Sequence, residues 1–281
     1  MKLYKIETGN LKLDGGAMFG VVPKVIWQKL YPADENNLGN WAMRCLLIET
    51  KSYKVLIDTG MGDKQDAKFF SYYYPNGDET LQSSLKKSGF IFEDITDVIL
   101  THLHFDHVGG AVKYNEKHEL VPTFPNAVYH ISESHWNLAV NPNRREKASF
   151  LPENFMPLQE HNCLNLVKNE GELLPGIRVK FFNGHTKGQM IPYIMYENTE
   201  LVFGGDLFPS TAHIPMPYIM GYDTNPLITL KDKERFFEEA VRENQILFFE
   251  HDLYNECCTL KETKKGVRVN ETFLLQKFLK N

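Results

Sequence analysis

Apolar and polar residues alternate with a period of two along much of this chain, and the runs that do so predict strands. Met1 to Glu7 alternates, residues 3–7 predict a first strand, and Leu11 and Leu13 are expected to start or continue a hairpin. Ala42–Thr50 and Tyr53–Asp58 predict two strands joined at Lys51-Ser52, and Val98-Ile99-Leu100 predicts the end of a buried one. Further strands are expected at Ala127–Ile131, Arg178–Asn183, Met190–Tyr196, Glu200–Gly204 and Gln245–Phe249. Helical spacing occurs at Thr80–Ser88, stopped by Gly89, at Ser132–Val140 with Ser132 as its cap, and at Lys231–Glu243. A hairpin over residues 259–269, turning at Lys264 to Gly266, and a short helix at Phe273–Phe278 close the chain. Strand–helix–strand order suits an α/β layered domain. No linker, repeat or low-complexity run interrupts it, so residues 1–281 are expected to form a single domain.

The strand ends carry the chemistry. After Leu100 the chain reads Thr-His102-Leu-His104-Phe-Asp106-His107-Val-Gly-Gly110, with three histidines and an aspartate inside six positions. Folding does not require that pattern, whereas metal binding does: imidazole and carboxylate are ligands of first-row metals, and zinc favours the mixture. One ion cannot easily take four ligands from so short a turn. Two metals are therefore expected, with His102 and His104 on one and Asp106 and His107 on the other. The same placement recurs at Asp58, His185, Asp206 and His251, each just past a predicted strand. Strand ends at one edge of a sheet are where open α/β folds put their sites. Asp58 is expected to orient a metal-bound histidine as a hydrogen-bond acceptor. His118, His130, His135 and His161 lack ligand-like neighbours and read as ordinary surface or satisfied histidines.

Composition narrows the partners. Net charge is −5 over 281 residues, and no basic run is present, so a nucleic-acid binder is not expected. No apolar run reaches membrane-spanning length, and the N-terminus lacks the apolar core of a signal peptide. Cys45, Cys163, Cys257 and Cys258 have neither zinc-finger nor redox spacing. Free thiols in a reducing cytoplasm are expected. The stretch Asp14 to Lys24 breaks regularity with three glycines, and Met18, Phe19, Val21 and Val22 look exposed on a loop. Either that loop packs on its own core, or Met18, Phe19 and Val22 with Trp27 form an apolar lip over a pocket. The aromatic run Phe69 to Tyr74 suits core packing or a pocket wall, and Arg144 to Pro157 reads as an irregular insertion.

Taken together, Asp58, His102-x-His104-x-Asp106-His107, His185, Asp206 and His251 resemble the metallo-β-lactamase superfamily. That resemblance implies a four-layer αββα sandwich. It assigns His102, His104 and His185 to one metal and Asp106, His107 and His251 to the second, with Asp206 bridging both. A closer resemblance covers nearly the whole chain. Asp14 to Lys24, Thr101 to His107 and Asp206-Leu-Phe-Pro-Ser-Thr-Ala-His213 look like the YtnP-type quorum-quenching lactonases, relatives of the N-acyl-homoserine lactonases. The better-known members carry a tyrosine three positions after the bridging aspartate, where this chain has Pro209. A phenol that polarises the substrate carbonyl, if one is needed, then has to come from Tyr218, Tyr222 or elsewhere, or His213 serves instead.

The expected activity is lactone ring opening by a hydroxide shared between two divalent ions, zinc by default, with manganese, iron or cobalt also compatible. Asp106 or a bound water would protonate the leaving alkoxide. The resemblance also makes a homodimer plausible. The same ligand plan suits hydrolysis of a phosphotriester, thioester or β-lactam. An iron redox protein fits less well, since such relatives carry Glu where His104 stands, and a binding module without activity would be expected to have lost ligands.

Overall fold

The computed structural model describes residues 1–279. Contacts divide the chain into two compact units. Among the described residues, one holds 1–9, 43–170 and 188–190, and the other holds 10–42, 171–187 and 191–279.

The first unit is built on a six-stranded sheet. Its strands are β1 (Lys2–Asp14), β2 (Leu38–Glu49), β3 (Lys54–Ile57) and β4 (Asp97–Ile99), followed after a small hairpin, β5 (Val112–Tyr114) and β6 (Leu120–Pro122), by β7 (Val128–Ser132) and β8 (Leu164–Val167). The order is β1-β2-β3-β4-β7-β8. From β3 to β8 every pairing is parallel, and residues such as Leu56, Val98, Tyr129 and Ile131 are fully buried in its core. Parallel strands buried in this way read as apolar runs, which is why they were legible. Registry positions the chemistry: Ile57 pairs with Ile99, so Asp58 and Thr101 leave the sheet side by side.

The second unit has a seven-stranded sheet. Its strands are β9 (Gly171–Leu174), β10 (Ile177–Phe182), β11 (Gln189–Tyr196), β12 (Thr199–Phe203), β13 (Ile246–Phe248), β14 (Cys257–Lys261) and β15 (Arg268–Phe273), lying side by side in that order. β12 and β13 are parallel, with Phe203 opposite Phe248. Asp206 and His251 each lie three residues beyond that pair, so the two side chains emerge from neighbouring strand ends.

The helices are α1 (Gly15–Phe19), α2 (Lys24–Trp27), α3 (Ala67–Ser71), α4 (Leu81–Lys87), α5 (Phe105–Val108), α6 (Glu133–Val140), α7 (Met156–Glu160), α8 (Pro226–Arg242) and α9 (Leu275–Phe278). Ser132 caps α6 by accepting from the His135 N–H at 3.1 Å. Three expectations need correction. The N-terminal strand does not turn back as a hairpin: it runs for 13 residues, with Gly9 at φ +97° inside it. The stretch from Asp14 to Lys24 is not an open loop, because Asp14 caps α1 by accepting from the Ala17 N–H at 2.9 Å. Finally, α8 begins at Pro226, five residues before Lys231. Proline suits a first helical turn, but Leu227 and Ile228 are exposed and so leave no amphipathic signature there.

Candidate metal centre

In the first unit, the turn after β4 gathers the central motif. His102 Nε2 lies 3.0 Å from His104 Nδ1. Of their other nitrogens, that of His102 is anchored. The Thr101 hydroxyl donates to Asp58 Oδ2 at 2.6 Å, since a carboxylate can only accept, and its lone pair is left to accept from His102 Nδ1 at 3.0 Å. His104 Nε2 points towards Glu146 Oε1, 3.8 Å away. His107 Nδ1 donates to Asp58 Oδ2 at 3.1 Å, which leaves the His107 Nε2 lone pair on the side of Asp106 Oδ2, 3.8 Å away.

Asp58 also accepts from the Thr101 N–H at 2.7 Å. It holds that position with φ +56°, a conformation that aspartate tolerates better than most residues. The two glycines that end the motif serve the backbone rather than a ligand. A Cβ on Gly109 would stand 1.9 Å from the Met61 carbonyl oxygen, and one on Gly110 would stand 2.2 Å from that of Thr59. His135 is a satisfied histidine, its Nε2 accepting from the Leu103 N–H at 2.8 Å, and His130 sits between Asp97 and Asn165.

In the second unit, Asp206 stands between two imidazoles. Its Oδ2 is 3.1 Å from His185 Nε2 and its Oδ1 is 3.1 Å from His251 Nε2. Again the far nitrogens are anchored: His185 Nδ1 donates to Asp223 at 3.0 Å, and His251 Nδ1 donates to the Ala42 carbonyl at 2.7 Å. Asp223 is fixed in turn by the Thr229 hydroxyl at 2.8 Å, and Asp232 of α8 receives the N–H groups of Asn183 and Gly184, both at 2.8 Å. Gly184 is required there, because a Cβ would meet the Thr229 backbone at 2.3 Å. Burial opposes a charge on His185, but the carboxylates of Asp206 and Asp223 outweigh it and raise its pKa to about 10. A site that draws so strongly on a proton draws on a metal cation for the same electrostatic reason.

His102, His107, His185 and His251 thus each have one nitrogen held by the protein and the other offered, while His104 offers Nδ1 with its Nε2 facing Glu146 at 3.8 Å. That orientation of the outer partner is what metal-ligating histidines need. The donor set is nitrogen and oxygen only, buried, and suited to a divalent ion. Glu146, Asp223 and Asp232 escaped the sequence reading, since each is one carboxylate among many in a polar stretch.

Two other expectations fail on burial. His213 is not placed to polarise a substrate: it is 1% exposed, its Nε2 donates to the Met18 carbonyl at 2.8 Å, and its Nδ1 lies 2.8 Å from the Ser210 hydroxyl. Burial pulls its pKa down to about 4, so it is a neutral packing group. The apolar lip is also corrected. Met18, Phe19 and Trp27 are buried, with Phe19 stacked between Trp27 at 4.9 Å and His213 at 4.7 Å. Only Val22 of that group is partly open. Tyr222 is 41% exposed and directly precedes Asp223. In the first unit Phe69 and Tyr73 pack on Phe105, at 5.2 and 4.5 Å, and the Tyr73 phenol is pushed up by burial and by the charge of Asp106.

Comparison with known proteins identifies the family. Residues 43–251 match the model of the metallo-beta-lactamase superfamily. The N-acyl homoserine lactonase AiiA of Bacillus thuringiensis subsp. kurstaki is 25% identical over 268 residues, covering 91% of this chain and 94% of its own. A probable metal-dependent hydrolase from Staphylococcus aureus superposes with a TM-score of 0.89 at 30% identity, covering 97% of this chain and 96% of its own. AidC, a dizinc quorum-quenching lactonase solved with a product of the homoserine type, has the same fold, with a TM-score of 0.80 at 24% identity over 97% of this chain and 95% of its own. The chain belongs to the metallo-beta-lactamase superfamily, with AiiA-type N-acyl homoserine lactonases among its homologues.

Proposed function

We propose that this protein is a metal-dependent hydrolase that opens lactone rings, with N-acyl-homoserine-lactone-like molecules as its substrate class. The observation that supports this most is the Asp206 carboxylate, which offers one oxygen to the side of His185 and the other to that of His251. A carboxylate presented in this way suits a bridge between two ions. His102, His104 and His185 would hold one ion, Asp106, His107 and His251 the other, and Asp206 both. The family match spans all seven residues. Zinc is the proposed metal. Residues 1–281 would act as one catalytic domain, and the four free thiols agree with a cytoplasmic location.

When bound, a pair of divalent ions supplies a nucleophile from water near neutral pH and polarises a carbonyl oxygen. The remaining work falls to side chains of this chain. Asp58 and Asp223 keep His107 and His185 in the tautomers that offer a lone pair. Asp106 would take the proton that the attacking water gives up and pass it to the alkoxide oxygen as the ring C–O bond breaks, so the lactone opens to a hydroxy acid. Pro209 offers no phenol, so Tyr222 is the proposed donor to the substrate carbonyl. With Met18, Phe19 and Trp27 buried, the apolar tail is assigned instead to the aromatic wall of Phe69 and Tyr73.

A panel of a lactone, a phosphotriester, a thioester and a β-lactam, run on metal-loaded protein of measured metal content, tests this reading. Preferential ring opening of the lactone is expected. Turnover of a phosphotriester or thioester without the lactone would reassign the substrate and leave the metal ligands standing.

A further inference from the structure

Lys233 lies on the inner side of α8 and is 1% exposed. Buried lysines normally sit against a carboxylate. Here Nζ donates instead to backbone carbonyls of one short segment: His213 at 2.6 Å, Pro215 at 2.9 Å, Tyr218 at 3.1 Å and Met216 at 3.3 Å. An ammonium has three N–H groups, so the three closer oxygens take one each and Met216 shares.

The sequence of that segment explains the need. Pro209, Pro215 and Pro217 have no N–H and so take three donors out of the segment's own backbone; the Pro215 carbonyl still receives the Tyr218 N–H at 3.0 Å, and a further donor has to come from elsewhere. Lys233 supplies it from a 17-residue helix whose Phe236, Phe237 and Ala240 are packed into the core of the second unit. The segment starts at Asp206 and ends at Asp223, the two carboxylates that flank His185. Between them lie Tyr218 and Tyr222, the only phenols of the stretch. Further tethers are the Gly221 N–H to the Ala17 carbonyl at 2.7 Å and His213 to Met18.

We propose that Lys233 is the positioning residue of this substrate-facing segment: its ammonium fixes the path of residues 213–218 and thereby presents Tyr222 to the substrate. The role rests on the hydrolase reading above. It predicts an effect on substrate binding rather than on metal binding, because Lys233 touches none of the seven candidate ligands in its hydrogen bonds.

The test compares the wild-type chain with Lys233→Met and Lys233→Ala. It reads amide hydrogen exchange over residues 213–222, metal content, the visible spectrum of the cobalt-loaded protein, and KM and kcat on whichever class the wild type hydrolyses. If the binding-competent loop falls to about a tenth of the population, KM rises about tenfold, while kcat stays within roughly threefold. Exchange protection is lost over 213–222 only, metal content and the cobalt spectrum are unchanged, and propylammonium restores part of the KM of Lys233→Ala. An unchanged KM, or a parallel loss of metal, kcat and KM, overturns the proposal.

Should neither variant fold, the wild type decides. A slowly exchanging Nζ ammonium signal for Lys233 together with protected amides in 213–222 supports the cage, and fast exchange at both refutes it. If no lactone is turned over, the substrate reading fails alone, and the exchange and spectral results still judge Lys233.

Discussion

Asp58 Oδ2 accepts from His107 Nδ1 at 3.1 Å, although 49 residues separate the two, and both side chains are wholly buried. The same carboxylate holds the backbone and hydroxyl of Thr101, so one residue sets two histidines. Asp58→Asn keeps the size and removes the charge that favours His107 as an Nδ1–H donor. Metal affinity is expected to fall about 10–100-fold, as for other outer partners of metal ligands. Calorimetric zinc titration of the apo-protein checks this, and an unchanged constant would leave Asp58 as a turn residue.

Phe19 fills the space between Trp27 and His213. Its replacement by Ala deletes a buried ring, which should cost roughly 3–5 kcal/mol of stability. Selectivity among acyl chain lengths should be unaffected at temperatures where the variant remains folded. Urea unfolding beside a chain-length series measures both, and a selective loss of long-chain turnover without destabilisation would return Phe19 to the pocket.

His213 ties stability to pH. Its folded pKa of about 4 lies below its ordinary 6.5, so the unfolded chain binds the extra proton in that window. Stability from this group is complete above pH 6.5, declines as pH falls, and is fully lost near pH 4. The displacement corresponds to roughly 3 kcal/mol. His213→Gln should flatten the dependence of unfolding free energy between pH 6.5 and 4, measured by urea titration at several pH values. An equally steep profile in the variant would assign the dependence to other groups.

Phe69 and Tyr73 lean on Phe105, inside the histidine motif. If they receive the acyl tail, each added CH₂ is worth up to about 0.8 kcal/mol, or nearly fourfold in kcat/KM. Mobile tails lose part of that gain on binding. Phe69→Ala should reduce the slope of log kcat/KM against tail length while metal content holds. An unaltered slope removes the aromatic wall from substrate binding.

The sequence disclosed the strands and the histidine motif because parallel, doubly buried strands are apolar runs and because H-x-H-x-D-H has no folding rationale. It disclosed less where meaning depends on distant partners. Glu146 and Asp223 look like any surface carboxylate until the fold brings them to His104 and His185. Met18 and Phe19 seemed exposed because glycines surround them, yet Asp14 caps a helical turn that carries both inward. His213 follows Asp206 closely enough to suggest catalysis, but only the Met18 carbonyl and the Ser210 hydroxyl reveal that both its nitrogens are occupied.

The central claim is metal-dependent lactone opening through a paired-ion site centred on Asp206. The most direct measurement is the rate of N-hexanoyl-homoserine lactone hydrolysis by apo-protein titrated with zinc. Negligible rate without metal is expected, with a rise that saturates at about two equivalents per chain and a rate lost in Asp206→Ala. A rate that is independent of zinc, or that survives in Asp206→Ala, would contradict it.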